Sequence, residues 1–295
     1  MNGSNLSQTV QNEVTIIIKT FERPQCVTRL VKSIRQYYQE IPIIVADDSR
    51  VPLSPIPEEI TNYYHLPFDS GMSYGRNFGL DKVKTKYFLL ADDDMIFKEK
   101  TKLEILYTLL ESTSFSLTSC NWVDHLPGTK RKEGISNYCG ISEINNGVHT
   151  YFYGKNRGYK DGYPIYDVVH NFFMANVADV GPKPWDDRIK ISGHPDFFLR
   201  LKKKGVLCTK STNVFIYHYP GRGFDYMKYR YRDLRHFFEI YFKKHGIKKE
   251  VLKGSYYRKQ DYIRYFYNHY DPIYWGWYFL RRKLAHRASK QMRIK

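Results

Sequence analysis

Short β-branched runs alternate with amphipathic stretches over the first third of the chain. Val14–Ile18 (VTIII) and Ile43–Ala46 (IIVA) carry almost no polar position, which suits strands buried on both faces. Tyr63–Leu66 gives a third short strand, and Tyr87–Ala91 (YFLLA) a fourth. Between the first two, Pro24 precedes Val27, Leu30, Val31, Ile34 and Tyr38, a helical spacing with one apolar face. Ser73–Val83 reads as a second helix. Strands and helices in alternation predict an α/β fold with a mostly parallel sheet flanked by helices. In such sheets ligands sit beyond the carboxyl ends of the strands. Lys19-Thr20, Asp47-Asp48 and Asp92-Asp93-Asp94 all fall at those ends.

The pattern is less regular after residue 103. Gly- and Asn-rich stretches over 128–162 predict loops or an insertion on the acceptor side. Val168–Met174 is apolar around His170 and Asn171, Asp196–Lys204 reads as a helix, and Val214–Tyr219 as a strand containing His218. Further on, Leu234, Phe237, Phe238, Tyr241 and Phe242 follow i, i+3, i+4, i+7, i+8 spacing, a helix with an apolar face.

Composition changes the picture chiefly through charge. The chain has 295 residues and a net charge of +17, and residues 201–295 hold 24 Lys+Arg against 6 Asp+Glu. The excess therefore lies in one third of the chain, which divides it into a near-neutral catalytic body, 1–220, and a basic, aromatic-rich, largely helical extension, 221–295. Met1–Glu13 is polar, so no secretory signal is expected, and no apolar run nears the roughly 18–20 residues that span a bilayer. Cys26, Cys120, Cys139 and Cys208 are scattered without a CxxC pair, as expected of free thiols in a reducing cytoplasm.

The acidic run after the fourth strand is the main candidate for chemistry. Three adjacent carboxylates repel one another, and a hard divalent cation, Mn²⁺ or Mg²⁺, would relieve that repulsion while bridging to a diphosphate. In Pro67–Asn77, Gly71 and Gly75 permit close backbone approach, Ser73 could cap the following helix, and Arg76 offers a planar fork to a base or phosphate. Asp196, at a helix start beside Phe197 and Phe198, suits a general base. His218 could supply a nitrogen ligand to a metal held by Asp94.

Val14–Arg23 (VTIIIKTFER), Val45–Ser49 (VADDS), Pro67–Asn77, Thr85–Phe97 (TKYFLLADDDMIF) and Gly193–Arg200 (GHPDFFLR) together resemble inverting GT-A glycosyltransferases. The likeness is to the GM2/GD2-synthase type of β-1,4-N-acetylgalactosaminyltransferase and related bacterial family-2 enzymes. It implies a GT-A, Rossmann-like fold and transfer of a hexose from a UDP-sugar donor to a hydroxyl of a glycan acceptor, free or lipid-linked. It also implies that Thr20, Arg23, Asp47, Asp48, Gly71, Arg76, Asp92, Asp93, His170 and Asn171 line the nucleotide-sugar site. Asp94 and His218 would hold the metal, and Asp196 would deprotonate the acceptor. Where family-2 enzymes place two adjacent acids this chain has Pro195-Asp196, which leaves Asp196 alone in that role.

The basic extension suggests a peripheral contact with an anionic membrane face on the cytoplasmic side, a homodimer contact, or a lid near Gly221–Gly223. A nucleic-acid partner is not expected, because the acidic strand ends would repel a phosphate backbone. A GT-A-like nucleotidyltransferase would call for a Gly-rich, Lys-containing phosphate loop, and the sequence has none.

Overall fold

The computed structural model describes residues 3–125, 133–136, 138–191, 193–219, 229 and 233–254. The chain begins with a helix, α1 (Gly3–Glu13), which its polar composition did not reveal. Among its described residues, Leu6 and Val10 join the hydrophobic core. Then follow β1 (Val14–Thr20), α2 (Pro24–Arg35), β2 (Ile43–Asp47), β3 (Asn62–His65), α3 (Met72–Asp81) and β4 (Tyr87–Asp92). The four strands are parallel in the order β3-β2-β1-β4. The apolar runs of β1, β2 and β4 are buried on both faces, so helices must cover both. One consequence is the glycine of α3 nearest β1. A Cβ at Gly79 would stand 2.6 Å from Ile17 Cγ2, so only glycine lets helix and strand approach so closely.

The remaining elements are β5 (Met95–Ile96), α4 (Leu103–Ser112), β6 (Leu117–His125), β7 (Glu133–Ser136), β8 (Gly140–Asn145) and β9 (Val148–Tyr153), then β10 (Tyr159–Lys160), β11 (Tyr163–Pro164), β12 (Phe173–Asn176), α5 (Val177–Val180), α6 (Gly193–Lys203), β13 (Cys208–His218), α7 (Leu234–His245) and β14 (Lys249–Lys253). The main sheet continues from β4 through β12, β6, β13 and β5, with β7 on the far end of β6. Strand β12 runs antiparallel to both β4 and β6, so the sheet is mixed while its first half is parallel.

Two expectations are corrected. Residues 133–164 are largely strands and not loops. Their Gly and Asn residues mark hairpin turns: Asn146-Gly147 joins β8 to β9 with φ of 51° and 79°, and Asp161-Gly162 joins β10 to β11 with 50° and 81°. Two positive φ values in succession define the turn that matches strand twist, which Asn-Gly and Asp-Gly favour. The second correction concerns α6, which starts at Gly193, three residues before the predicted boundary, so Asp196 lies inside its first turn.

In the extension, β14 pairs in parallel with β9 and completes a second sheet, β14-β9-β8. Helix α7 buries Phe237 and Tyr241, and the Tyr241 hydroxyl meets His149 Nδ1 at 2.8 Å beneath that sheet. The proposed lid near Gly221–Gly223 lies outside the described residues. All four cysteines are free and buried. Among the described residues no helix is long and apolar enough to cross a membrane.

Candidate active site

The carboxyl ends of β1, β2 and β4 meet at one edge because their registers align, Thr20 beside Asp47 and Lys19 beside Asp92. At this edge each acid of the Asp92–Asp94 run has a cationic partner. Arg76, itself almost fully buried, donates from Nη2 to Asp92 Oδ1 at 2.7 Å. Arg23 clasps Asp93 through Nε and Nη2, and Thr20 Oγ1 donates to Asp93 Oδ2 at 2.7 Å. The other arm of Arg23, Nη1, donates to Asp94 Oδ2 at 2.8 Å. Side chains of the chain itself thus offset part of the mutual repulsion that the sequence suggested a metal would relieve.

His218 approaches the same Asp94 oxygen, with Nε2 at 3.4 Å. The turn after Asp94 makes this possible: β5 pairs with the end of β13, setting Met95 opposite His218, and Tyr219 N donates to Asp94 O at 2.8 Å. Behind His218, its Nδ1 donates to Asp124 Oδ1 at 2.7 Å, and Trp122 Nε1 donates to that oxygen at 2.9 Å. Asp124 and His218 are direct neighbours across the parallel β6–β13 ladder. Burial opposes charge on His218, but Asp124 and Asp94 outweigh it and raise its pKa to about 9. Burial pushes Asp93 up to about 7 against the pull of Arg23. Burial also opposes charge on Asp94, but His218 and Arg23 hold it down at about 2.

The residues fit a divalent ion. Ligands at about 2.1 Å from one ion, at right angles, lie about 3 Å apart, close to the Asp94–His218 separation. Among the described residues no group of three or more His, Cys, Asp or Glu side chains is gathered for a metal. Small hard cations commonly take one or two protein ligands and complete their shell with substrate phosphates and water.

A cleft opens beside this edge, lined by Lys19, Phe21, Asp48, Gly71, Lys190 and Tyr229, among others. Asp48 is fully buried, ion-paired to Lys19 at 2.5 Å, and accepts from Gly71 N at 2.7 Å. Gly71 has a φ of 99°, and a Cβ there would stand 2.6 Å from Lys190 Cγ, so glycine is what lets the chain pass so close to Lys190. Phe21, Phe68 and Tyr229 pack edge to face or tilted, and Arg50 lies 4.5 Å from the Phe68 ring centre. Asp233 and Phe237, at the start of α7, also line the cleft.

The remaining candidates lie in the following surroundings. Asp47 accepts from Ser49 N and the Tyr63 hydroxyl at 2.9 and 2.7 Å. Ser73 does not cap α3, since its hydroxyl donates to Ile189 O at 2.6 Å. His170 is buried, stacks on Trp122 with ring centres 5.0 Å apart, and burial lowers its pKa to about 3. Asn171 follows it, with a buried Oδ1. Asp196 is fully enclosed, its oxygens taken by Lys244 Nζ at 2.8 Å and His245 Nε2 at 2.7 Å from the end of α7. Sequence reasoning missed Asp124, Lys244 and His245. A carboxylate two residues after a strand tryptophan was the available signal for the first, and nothing local marks the other two.

The mixed sheet, the acids at its strand ends and the adjoining cleft define a GT-A glycosyltransferase fold. The chain belongs to the family described as Glycosyl transferase family 2, which it matches over residues 15–180. It is 34% identical over 193 residues to mouse β-1,4 N-acetylgalactosaminyltransferase 2, covering 64% of this chain and 36% of that protein. The chain spans about a third of the length of the curated relatives it matches. The S. aureus TarS fragment 1–349 in complex with UDP-GlcNAc superposes with a TM-score of 0.55 at 13% identity, covering 77% of this chain and 64% of that one. GalNAc-T7 with UDP, GalNAc and Mn²⁺ gives 0.52 at 12% identity, covering 70% and 43%.

Proposed function

We propose that the protein transfers a hexose, GalNAc, Gal or a similar sugar, from a UDP-sugar to a hydroxyl of a glycan acceptor, by a metal-dependent single displacement that inverts the anomeric centre. The observation that carries this reading is the convergence of Asp94, His218 and Arg23 at the sheet edge where Lys19 and Asp48 line a cleft together with Gly71. A nucleotide bound against Lys19 and Asp48 would direct its diphosphate toward the acidic run, since Lys19 stands beside Asp92 across the β1–β4 ladder. The relatives' names support a GalNAc-type sugar, and the UDP and Mn²⁺ in the structural neighbours support the donor class and the ion.

Asp94 and His218 would hold Mn²⁺ or Mg²⁺, which when bound neutralises charge on the departing diphosphate. Asp48 and the Gly71 backbone set the depth to which the nucleoside enters, and Arg76 fixes Asp92 at the rim. Asp196 accepts the proton of the attacking hydroxyl once Lys244 and His245 yield its oxygens, since a base must reach within hydrogen-bond distance of that proton. The basic extension places the enzyme on the anionic inner face of a membrane, where a lipid-linked glycan would meet it. Bacterial surface polysaccharide or glycolipid synthesis is the matching process.

A thermal-denaturation series tests the donor class. UDP with Mn²⁺ should raise the melting temperature, and a single-stranded oligonucleotide should not. Stabilisation by the oligonucleotide alone would point instead to a nucleic-acid-binding protein.

A further inference from the structure

Arg23 stands on the loop between β1 and α2, and its fork is divided between two carboxylates. Nε and Nη2 hold Asp93, which is fully buried, while Nη1 holds Asp94. The Asp94 atom it takes is Oδ2, the same oxygen that faces His218 Nε2. A divalent ion held by Asp94 and His218 needs that oxygen. It would also stand next to a guanidinium, and two cations at such a distance in a largely buried site repel strongly. The two therefore compete for one ligand atom.

A guanidinium leaves a carboxylate at low cost only when an equivalent acceptor arrives. A diphosphate is that acceptor, because its oxygens match the planar fork as carboxylate oxygens do. Charge balance points the same way. With Arg23 in place, an added divalent ion leaves an uncompensated double positive charge in the site, and an added diphosphate alone leaves a negative one. The pair together is close to neutral.

We propose that Arg23 is an exchangeable counter-ion that couples the two ligands: it occupies Asp94 in the free protein and transfers to the diphosphate of an entering nucleotide, which releases Asp94 to the divalent ion. The inference rests on the UDP-sugar and metal reading of this site. It makes Arg23 the reason that ion and nucleotide bind as a pair. By linkage, UDP must tighten Mn²⁺ by the same factor that Mn²⁺ tightens UDP.

The test is a titration of the full chain with Mn²⁺, followed by the electron paramagnetic resonance signal of the free ion, with and without UDP. For the unaltered protein, UDP should tighten Mn²⁺ by about tenfold or more, within the roughly 5–150-fold range of such couplings. Arg23→Gln should bind Mn²⁺ more tightly than the unaltered protein when UDP is absent, and most of the UDP effect should vanish. If Arg23→Gln does not fold, as judged by circular dichroism, Arg23→Lys serves in its place. A single ammonium cannot bridge Asp93 and Asp94 as the fork does, so Mn²⁺ should again tighten without UDP. Equal or weaker Mn²⁺ binding by the folded variant overturns the role of Arg23 while leaving the metal site standing. No Mn²⁺ binding by the unaltered protein, even with UDP, overturns the metal reading and the inference with it.

Discussion

His218 carries its proton between two carboxylates, Asp124 at 2.7 Å and Asp94 at 3.4 Å. A metal takes only the neutral imidazole, so binding must expel that proton. With the free-state pKa raised to about 9, the proton is bound throughout the neutral range and competes with the ion. Raising the pH removes the competitor. Mn²⁺ affinity should therefore climb with pH between 6 and 8.5, at up to about tenfold per unit, and level off only above about 9. Asp124→Asn removes one of the two carboxylates that retain the proton, so the rise should move to lower pH. Mn²⁺ titrations at a series of pH values decide this, and superimposable curves for the two proteins would deny Asp124 its influence. At this scale the sequence conveyed residue types well and partners poorly. The sequence suggested that Asp94 and His218 come together, and they stand 3.4 Å apart. That Arg23, Arg76 and Thr20 neutralise or tether the acids was not readable, since each partner arrives from a different element.

Helix α7 presents the clearest question at the scale of elements. Its first turns line the cleft through Asp233 and Phe237, and its last turn covers Asp196 with Lys244 and His245. Lys244 also reaches Asp186 at 2.8 Å, an acid that Arg188 holds independently. If Asp196 is the base, Asp196→Asn should slow transfer by about 10²–10⁴-fold and leave UDP affinity unchanged, because amide and carboxylate share shape but not proton affinity. Lys244→Met should lower the acceptor KM, since one of the two groups that enclose the carboxylate is gone while Arg188 keeps Asp186 in place. Initial-rate kinetics on both variants checks the pair, and full turnover by Asp196→Asn would remove Asp196 from the chemistry. The elements themselves were unevenly legible. Strands β1, β2 and β4 announce themselves because they are buried on both faces. The β8–β9 hairpin was hidden by reading Asn146-Gly147 as loop composition and not as a turn between strands. Helix α1 lacks an apolar stripe and is held mainly by what it leans on.

Across the whole molecule, charge and chemistry are segregated. The acids gather at one edge of the main sheet, and the cationic excess lies toward the C-terminus, where Lys243, Lys248, Lys249 and Lys253 are exposed on α7, β14 and the loop between them. The family resemblance was legible because its motifs sit on strand ends that the fold must keep together. The route by which the extension joins the body, through β14 on β9 and Tyr241 on His149, was not, because parallel pairing over so long a separation leaves no local pattern. The account stands on a metal-dependent attack on a UDP-sugar at Asp94. The most direct measurement is release of UDP from UDP-GalNAc and related UDP-sugars, in Mn²⁺ and in EDTA, by the unaltered protein and by Asp94→Ala. The account predicts turnover of at least one UDP-sugar in Mn²⁺, its loss in EDTA, and its loss in folded Asp94→Ala. Undiminished turnover in EDTA, or in the variant, would contradict it.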